Sequence, residues 1–236
     1  MKNKGLCFGI LFLCISCQQS QVISTIEQAA INAHGGELHK RIKNVSYEKK
    51  IWALSQDGDT LSENIEKHYI DFNLNRARMV WFQGGIRWEA KRDLDIVTLQ
   101  KNDSLISDAI ALEKAQRRLN GAQFVFWQPF KFFVDGGNKT YQGTRTLFNG
   151  WEVEEVRVNY PNTNDRWSFF FDKTNKKLKA TGVFHNNKYS LITNDIQETE
   201  TGLSLHKKRT SYFTDSLFVP TRKGTSYSYT INSIGY

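Results

Sequence analysis

Beyond position 17 the chain contains no cysteine; its three, Cys7, Cys14 and Cys17, all stand near the N-terminus. The remainder can form no disulfide and offers no thiol nucleophile, so it must hold itself together by packing. Proline is scarce at three residues and methionine scarcer at two, and 16 glycines in 236 residues are too few for a disordered chain. No run of lysine and arginine exceeds three residues, Lys207-Lys208-Arg209 being the densest. The formal charge of +8, of which Lys2 and Lys4 supply two, therefore describes a modestly basic, solvated surface. Such a surface favours anionic headgroups slightly, and no nucleic-acid partner is expected. No HExxH, GxSxG, phosphate loop or CxxC occurs. The five histidines (His34, His39, His68, His185, His206) have no ligand-like spacing, except for His34 and His39 around the glycine pair. Those two read as surface residues, His34 as a last-turn residue favoured by the helix dipole. No catalytic residue, metal or cofactor is expected, and the chain reads as a non-enzyme.

Aromatic residues are abundant instead, at 13% of the chain. The organising stretch runs from Trp151 to Phe184. Trp167, Phe169 and Phe171 recur at period two, which puts them on one face of a strand, and Val156, Val158 and Tyr160 do the same on the run before. Separators rich in Pro, Asn, Asp and Thr at 161–165 and 173–177 read as turns, giving an antiparallel meander with one heavily apolar face.

The first seventeen residues, MKNKGLCFGILFLCISC, join a basic start to an apolar stretch of about ten residues, too short for a stop-transfer helix. This resembles a bacterial lipoprotein signal peptide. The resemblance implies removal of residues 1–16, acylation of Cys17 and a polar tether over 17–20, with residues 21–236 as one domain. The partner would then be a membrane, reached through the acyl anchor, and the location the periplasmic leaflet of the outer membrane. An ordinary secretory leader cut elsewhere is the alternative.

A first helix is predicted over Gln21–His34, stopped by Gly35-Gly36, and strands follow from Val45, Thr60, Ala77, Ile86 and Asp95. Ser104–Leu119 carries a narrow apolar stripe at helical spacing and Gly121 reads as its C-cap. Gln123–Val134 is then aromatic on every side and broken by Pro129, so it is no continuous central strand. Something must bury it. Either it plugs the core of the sheet or it walls an apolar pocket, and the candidate ligand-binding rings are Trp81, Phe124, Phe126, Trp127, Phe130, Phe132, Trp167 and Phe169. Strands after Tyr189, Leu203 and Thr225 bring the count to about eleven.

Several pieces carry a family resemblance: Asn32-Ala-His-Gly-Gly36, Phe130 after Pro129, Tyr141-x-Gly143, Glu155-Val-Arg-Val158 and Arg209-x-x-Tyr212. With the acylated cysteine they look like a group of Bacteroidota lipoproteins that in turn resemble the periplasmic lipoprotein-carrier and lipoprotein-receptor (LolA/LolB-like) fold. That resemblance implies a mainly β, α+β architecture: a curved antiparallel incomplete barrel closed by two or three helices on its concave side. It also implies that acyl chains of lipid or lipoprotein cargo are held in the hollow, and a monomer is expected. The rival reading is a tethered envelope interaction domain whose hollow is filled by its own side chains.

Overall fold

The structure, a computed structural model, describes residues 7–134, 136–161 and 163–236, with the backbone alone for 7–19, 133 and 134. Helix α1 (Cys7–Ala33) leads through a 3-10 turn (Gly36–Arg41) into six strands: β1 (Asn44–Leu54), β2 (Thr60–Asp71), β3 (Arg76–Gln83), β4 (Ile86–Asp93), β5 (Ile96–Lys101) and β6 (Ser104–Ile106). Helices α2 (Ala109–Phe126) and α3 (Gln128–Val134) interrupt them. The chain then makes β7 (Asn138–Thr146), β8 (Glu152–Asn159), β9 (Arg166–Asp172), β10 (Leu178–His185), β11 (Lys188–Glu198), β12 (Leu205–Thr214) and β13 (Pro220–Gly235). All pair antiparallel in one sheet of order β6-β5-β4-β3-β2-β1-β13-β12-β11-β10-β9-β8-β7. The two halves are each a meander, joined where the last strand returns to pair with the first. The edges β6 and β7 do not meet, so the barrel is incomplete, and the helices lie on its concave side.

Among the described residues thirteen strands stand where about eleven were expected. Ser104–Ile106, read as the first turn of a helix, is β6 instead. Asn102 and Asp103 both take positive φ, 45° and 67°, which makes a two-residue hairpin turn and sends the chain back along β5. The helix starts later, at Ala109, where the Asp108 carboxylate accepts the Ala111 N–H at 2.8 Å as an N-cap. Gly121 does not end it. The helix passes through that glycine to Phe126, and after Trp127 the short α3 begins, with Pro129 at an early position where a missing N–H is harmless. The aromatic run is therefore helical on both sides of Trp127, which caps α2. The first helix also begins earlier than read, at Cys7. The expected leader boundary falls within α1, and the side chain of Cys17, the expected site of acylation, lies outside the described residues.

Four apolar clusters form among the described residues. α2 sets Ala115 and Leu119 against Ala77, Met79, Trp81, Ala90 and Leu99. Phe126, Trp127 and Phe130 pack on Val45, Tyr47, Ile70, Leu205 and Tyr229 in the middle of the sheet. α1 places Ile26 and Ala30 with Phe132 on Val156, Val158, Phe169, Phe171 and Leu178. The fourth cluster lies on the other face of the second meander, where Phe218 covers Phe170, Ala180 and Leu191. Gly182 permits that approach, since a Cβ there would stand 2.5 Å from the Phe218 ring. The second meander is thus covered on both faces, whereas the first is covered by helices on its concave face.

Candidate functional site

The concave face is where the predicted rings gather, but they do not line one shared hollow. Phe126 stacks on Tyr47 at 3.9 Å between ring centres, and Tyr47 stacks in turn on His68 at 4.5 Å. Trp127 tilts against Phe72 and Phe130, and Phe130 stacks on His39 at 4.4 Å. Farther along, Phe132 lies between Phe169 at 4.7 Å and Phe171 at 5.1 Å, and half-buried Phe124 meets Trp167 edge-on at 5.5 Å. Phe126, Phe130, Phe132 and Phe169 are buried by these contacts. Of the eight candidates, Phe124 borders a polar crevice and Trp81 an apolar one.

The apolar crevice opens between α2 and the strands β3–β5. It holds about 210 Å³ and is lined by Trp81, Gln83, Trp88, Leu99, Ala111, Lys114, Ala115 and Arg118. Its floor exists because Trp81 and Trp88 are directly paired across β3 and β4, which stacks the two indoles 6.1 Å apart at 8°. The Arg118 guanidinium lies 4.0 Å above the Trp81 ring, and the Lys101 ammonium 5.7 Å from the Trp88 ring. The exposed Lys114 completes a cationic rim around an aromatic floor.

Polar ties fasten the helices over this face. Arg118 donates from Nη2 to Glu66 Oε1 at 2.7 Å. Arg92 on β4 donates to Asn120 at 2.6 Å and to Gln123 at 2.9 Å. Arg209 on β12, only 2% exposed, donates to Gln128 Oε1 at 3.0 Å where α2 gives way to α3. Burial of the Glu66 carboxyl opposes its charge. The His68 hydrogen bond, Lys49 and the Arg118 hydrogen bond outweigh that and hold its pKa down at about 2.

Two histidines are fully buried beneath the cover, and the first departs from its sequence reading. His34 is fully buried, not a surface residue. Its Nε2 accepts the Leu178 N–H at 2.9 Å, so the ring proton is on Nδ1, which donates to the Ser204 carbonyl at 2.8 Å. Burial pushes its pKa down to about 4. His206 is also fully buried; burial first, then the nearby Arg209 and His34, push its pKa well down and outweigh a contact with the Val125 backbone. His39, the other member of the pair, is half-buried by its stack on Phe130.

No family model and no curated protein matches the chain. Among solved structures it is similar to a LolA superfamily protein from Nitrosomonas europaea, with a TM-score of 0.57 at 5% identity, covering 89% of this chain and 91% of that one. It is similar as well to a DUF1329 family protein from Desulfovibrio piger, with a TM-score of 0.53 at 9% identity over 90% and 92% of the two chains. At such identities the likeness is one of fold: the chain has a LolA-like architecture over nearly its whole length. No helix among the described residues is long and apolar enough to cross a membrane.

Proposed function

We propose that the protein is a non-catalytic, periplasm-facing carrier, anchored through Cys17, that receives a single-chain amphiphile between α2 and the concave sheet. The observation that carries this reading is the open crevice with its stacked Trp81–Trp88 floor and its rim of Arg118, Lys114 and Lys101. Apolar surface removed from water contributes about 25 cal/mol per Å², and a cationic rim suits an acidic headgroup at the mouth. The LolA-like fold supports the same reading, since its implied activity is to hold acyl chains on this face.

The crevice is small for a whole ligand, because pockets for such molecules commonly span about 300–1,000 Å³. In the closed form it takes the end of a chain. Deeper entry requires the helices to lift, breaking the arginine ties and unstacking Phe126. A second reading has a specific observation behind it: Phe126, Trp127, Phe130 and Phe132 already fill the space beneath the cover. On that reading the protein is a tethered interaction domain whose core is complete.

Native mass spectrometry of detergent-free protein separates the two. A co-purifying amphiphile is the expected result, and bare protein that also fails to take up a fluorescent fatty acid would sink the carrier reading. Ala111 lines the crevice from the half-exposed face of α2, at the edge of the cluster that Ala115 and Leu119 form with the sheet, so A111W fills the crevice from its margin. That variant should weaken fatty-acid uptake roughly tenfold, the equivalent of about 1.4 kcal/mol of lost apolar burial. Unchanged uptake by a folded A111W would mean the crevice is not the entrance.

A further inference from the structure

The outer face of the first meander, opposite the helices, carries a second and larger concavity of about 480 Å³. It is lined by Ser46, Lys67, Tyr69, Arg78, Val80, Arg87 and Asn232, with Tyr47 and His68 also bordering it. Strand pairing explains the juxtaposition. Ser46 stands across from Tyr69 and Tyr69 from Arg78, while Lys67 stands across from Val80 and Phe82 from Arg87. Alternation sends these residues outward while Ala77, Met79, Trp81 and Ala90 face α2. No carboxylate is among the lining residues.

Glu89 sits beneath this wall. Its side chain is only 3% exposed although it points away from the helices, because cations cover it. Arg78 grips it with two hydrogen bonds, from Nε at 2.8 Å and Nη2 at 3.2 Å. Arg87 donates to it as well, and Lys91 approaches to 2.8 Å. The Arg78 hydrogen bond, with those of Lys91 and Arg87, holds the Glu89 carboxyl down at about 2 despite its burial. One carboxylate thus fixes two guanidinium groups along the groove in set orientations. Arg87 also reaches the exposed Asp103 at 2.8 Å, and Glu48 pairs across from Lys67 at the far side. Three cations and the neutral donors of Ser46, Tyr69 and Asn232 still ring one concavity. Guanidinium held in a fixed plane is the group that recognises phosphate oxygens with paired hydrogen bonds.

We infer that this outer groove is a phosphoryl-binding site, separate from the apolar crevice and on the opposite face of the sheet. Its ligand presents a phosphate group, as a lipid headgroup or as a soluble phosphate ester. Glu89 acts as the positioning residue that presents Arg78 and Arg87.

Titration calorimetry of the full chain with pyrophosphate and with glycerol 3-phosphate at low salt tests the chemistry. Flotation of the unacylated C17S chain with vesicles of phosphatidylcholine alone, and with an equal part of phosphatidylglycerol, tests the source without the proposed anchor. Removing Arg78 and Arg87 alone would strand a buried carboxylate, so R78Q/R87Q/E89Q removes the group together and leaves unpaired only the exposed Lys91 and Asp103. K67E, an exposed change that leaves Glu89 and its partners alone, gives a second variant. Both should weaken binding roughly tenfold or more, and salt should weaken it in the wild type. Binding of the soluble esters assigns a free phosphate; selective flotation with phosphatidylglycerol without ester binding assigns a headgroup. Wild-type protein that binds neither probe, or variants that bind as well as wild type, would overturn the inference. A111W should leave every one of these measurements unchanged, so this result and the carrier test succeed or fail separately.

Discussion

Replacing His34 with alanine should lower the unfolding free energy by roughly 3–5 kcal/mol and shift the urea midpoint accordingly. The ring is fully buried, and each nitrogen closes a long-range contact. Nε2 takes the Leu178 N–H from the β9–β10 hairpin, and Nδ1–H reaches Ser204 just before β12. The His34 carbonyl also accepts the Ser204 N–H at 3.1 Å, so helix α1 is clasped to the sheet by side chain and backbone together. Gly35, at φ 115°, makes the turn possible; a Cβ there would stand 2.7 Å from Leu203. Alanine at 34 leaves a buried donor and a buried acceptor unmet and opens a void beside Phe130, whose ring lies 6.3 Å away edge-on. A loss below about 1 kcal/mol would show that the clasp is replaceable.

The same residue sets an acid limit. Its folded pKa is about 4, lowered from 6.5, so the neutral ring is favoured by folding. The stabilisation is therefore complete above pH 6.5 and is lost as the pH falls towards 4. At about 1.4 kcal/mol per unit, that window removes about 3 kcal/mol. His68 and His206 are lowered too, in both cases chiefly by burial, and steepen the loss. H34A should keep the part of the slope due to the other two and lose its own. A variant with an undiminished slope between pH 6.5 and 4 would remove His34 as a source of acid lability.

Much of this fold could be read directly from period-two alternation. The meander from Glu152 to His185 follows Val156–Val158 and Phe169–Phe171, because one buried face demands that spacing. Two kinds of feature escaped. Asn102-Asp103 made a tight turn without glycine, and the short strand behind it looked like a helix start. On β12, Leu205, Lys207 and Arg209 alternate in sequence as one face, but an extra residue at Lys207 lies between His206, opposite Gln197, and Lys208, opposite Ile196. That bulge turns both His206 and Arg209 into the core, where Arg209 meets Gln128. A lone arginine among lysines gives no sign of this. The candidate rings were legible as buried aromatics, since large apolar side chains near Pro129 must be covered. Whether they wall a cavity or fill one depends on interlocking, which spacing does not encode. His34 failed for a related reason: its partners lie 144 and 170 residues away in sequence.

Phe126→Ala should reveal which reading of the concave face holds. The ring is fully buried and stacks on Tyr47, with Trp127 and Tyr229 about it. Its loss should reduce stability by roughly 3–5 kcal/mol, from lost transfer energy and the cavity left behind. The buried residues of α2 are Ala115, Leu119 and Phe126, so one helix face runs from the crevice at Ala115 into the core at Phe126. If a chain enters along that face, the Phe126 ring competes for the place the ligand takes. Returning a buried phenyl to water opposes binding by about 1.5–3 kcal/mol, and deleting it should tighten fatty-acid uptake tenfold or more. Bound fatty acid should then restore part of the lost stability by mass action, more so in F126A than in wild type. The double variant A111W/F126A should lose the gain, because the route from the crevice is filled. If the hollow belongs to the protein's own side chains alone, F126A is less stable, its uptake stays at the wild-type level, and A111W changes nothing in either background. Measuring urea midpoints and fatty-acid affinity for these four proteins under one set of conditions therefore decides whether Phe126 is a displaceable plug or a fixed part of the core.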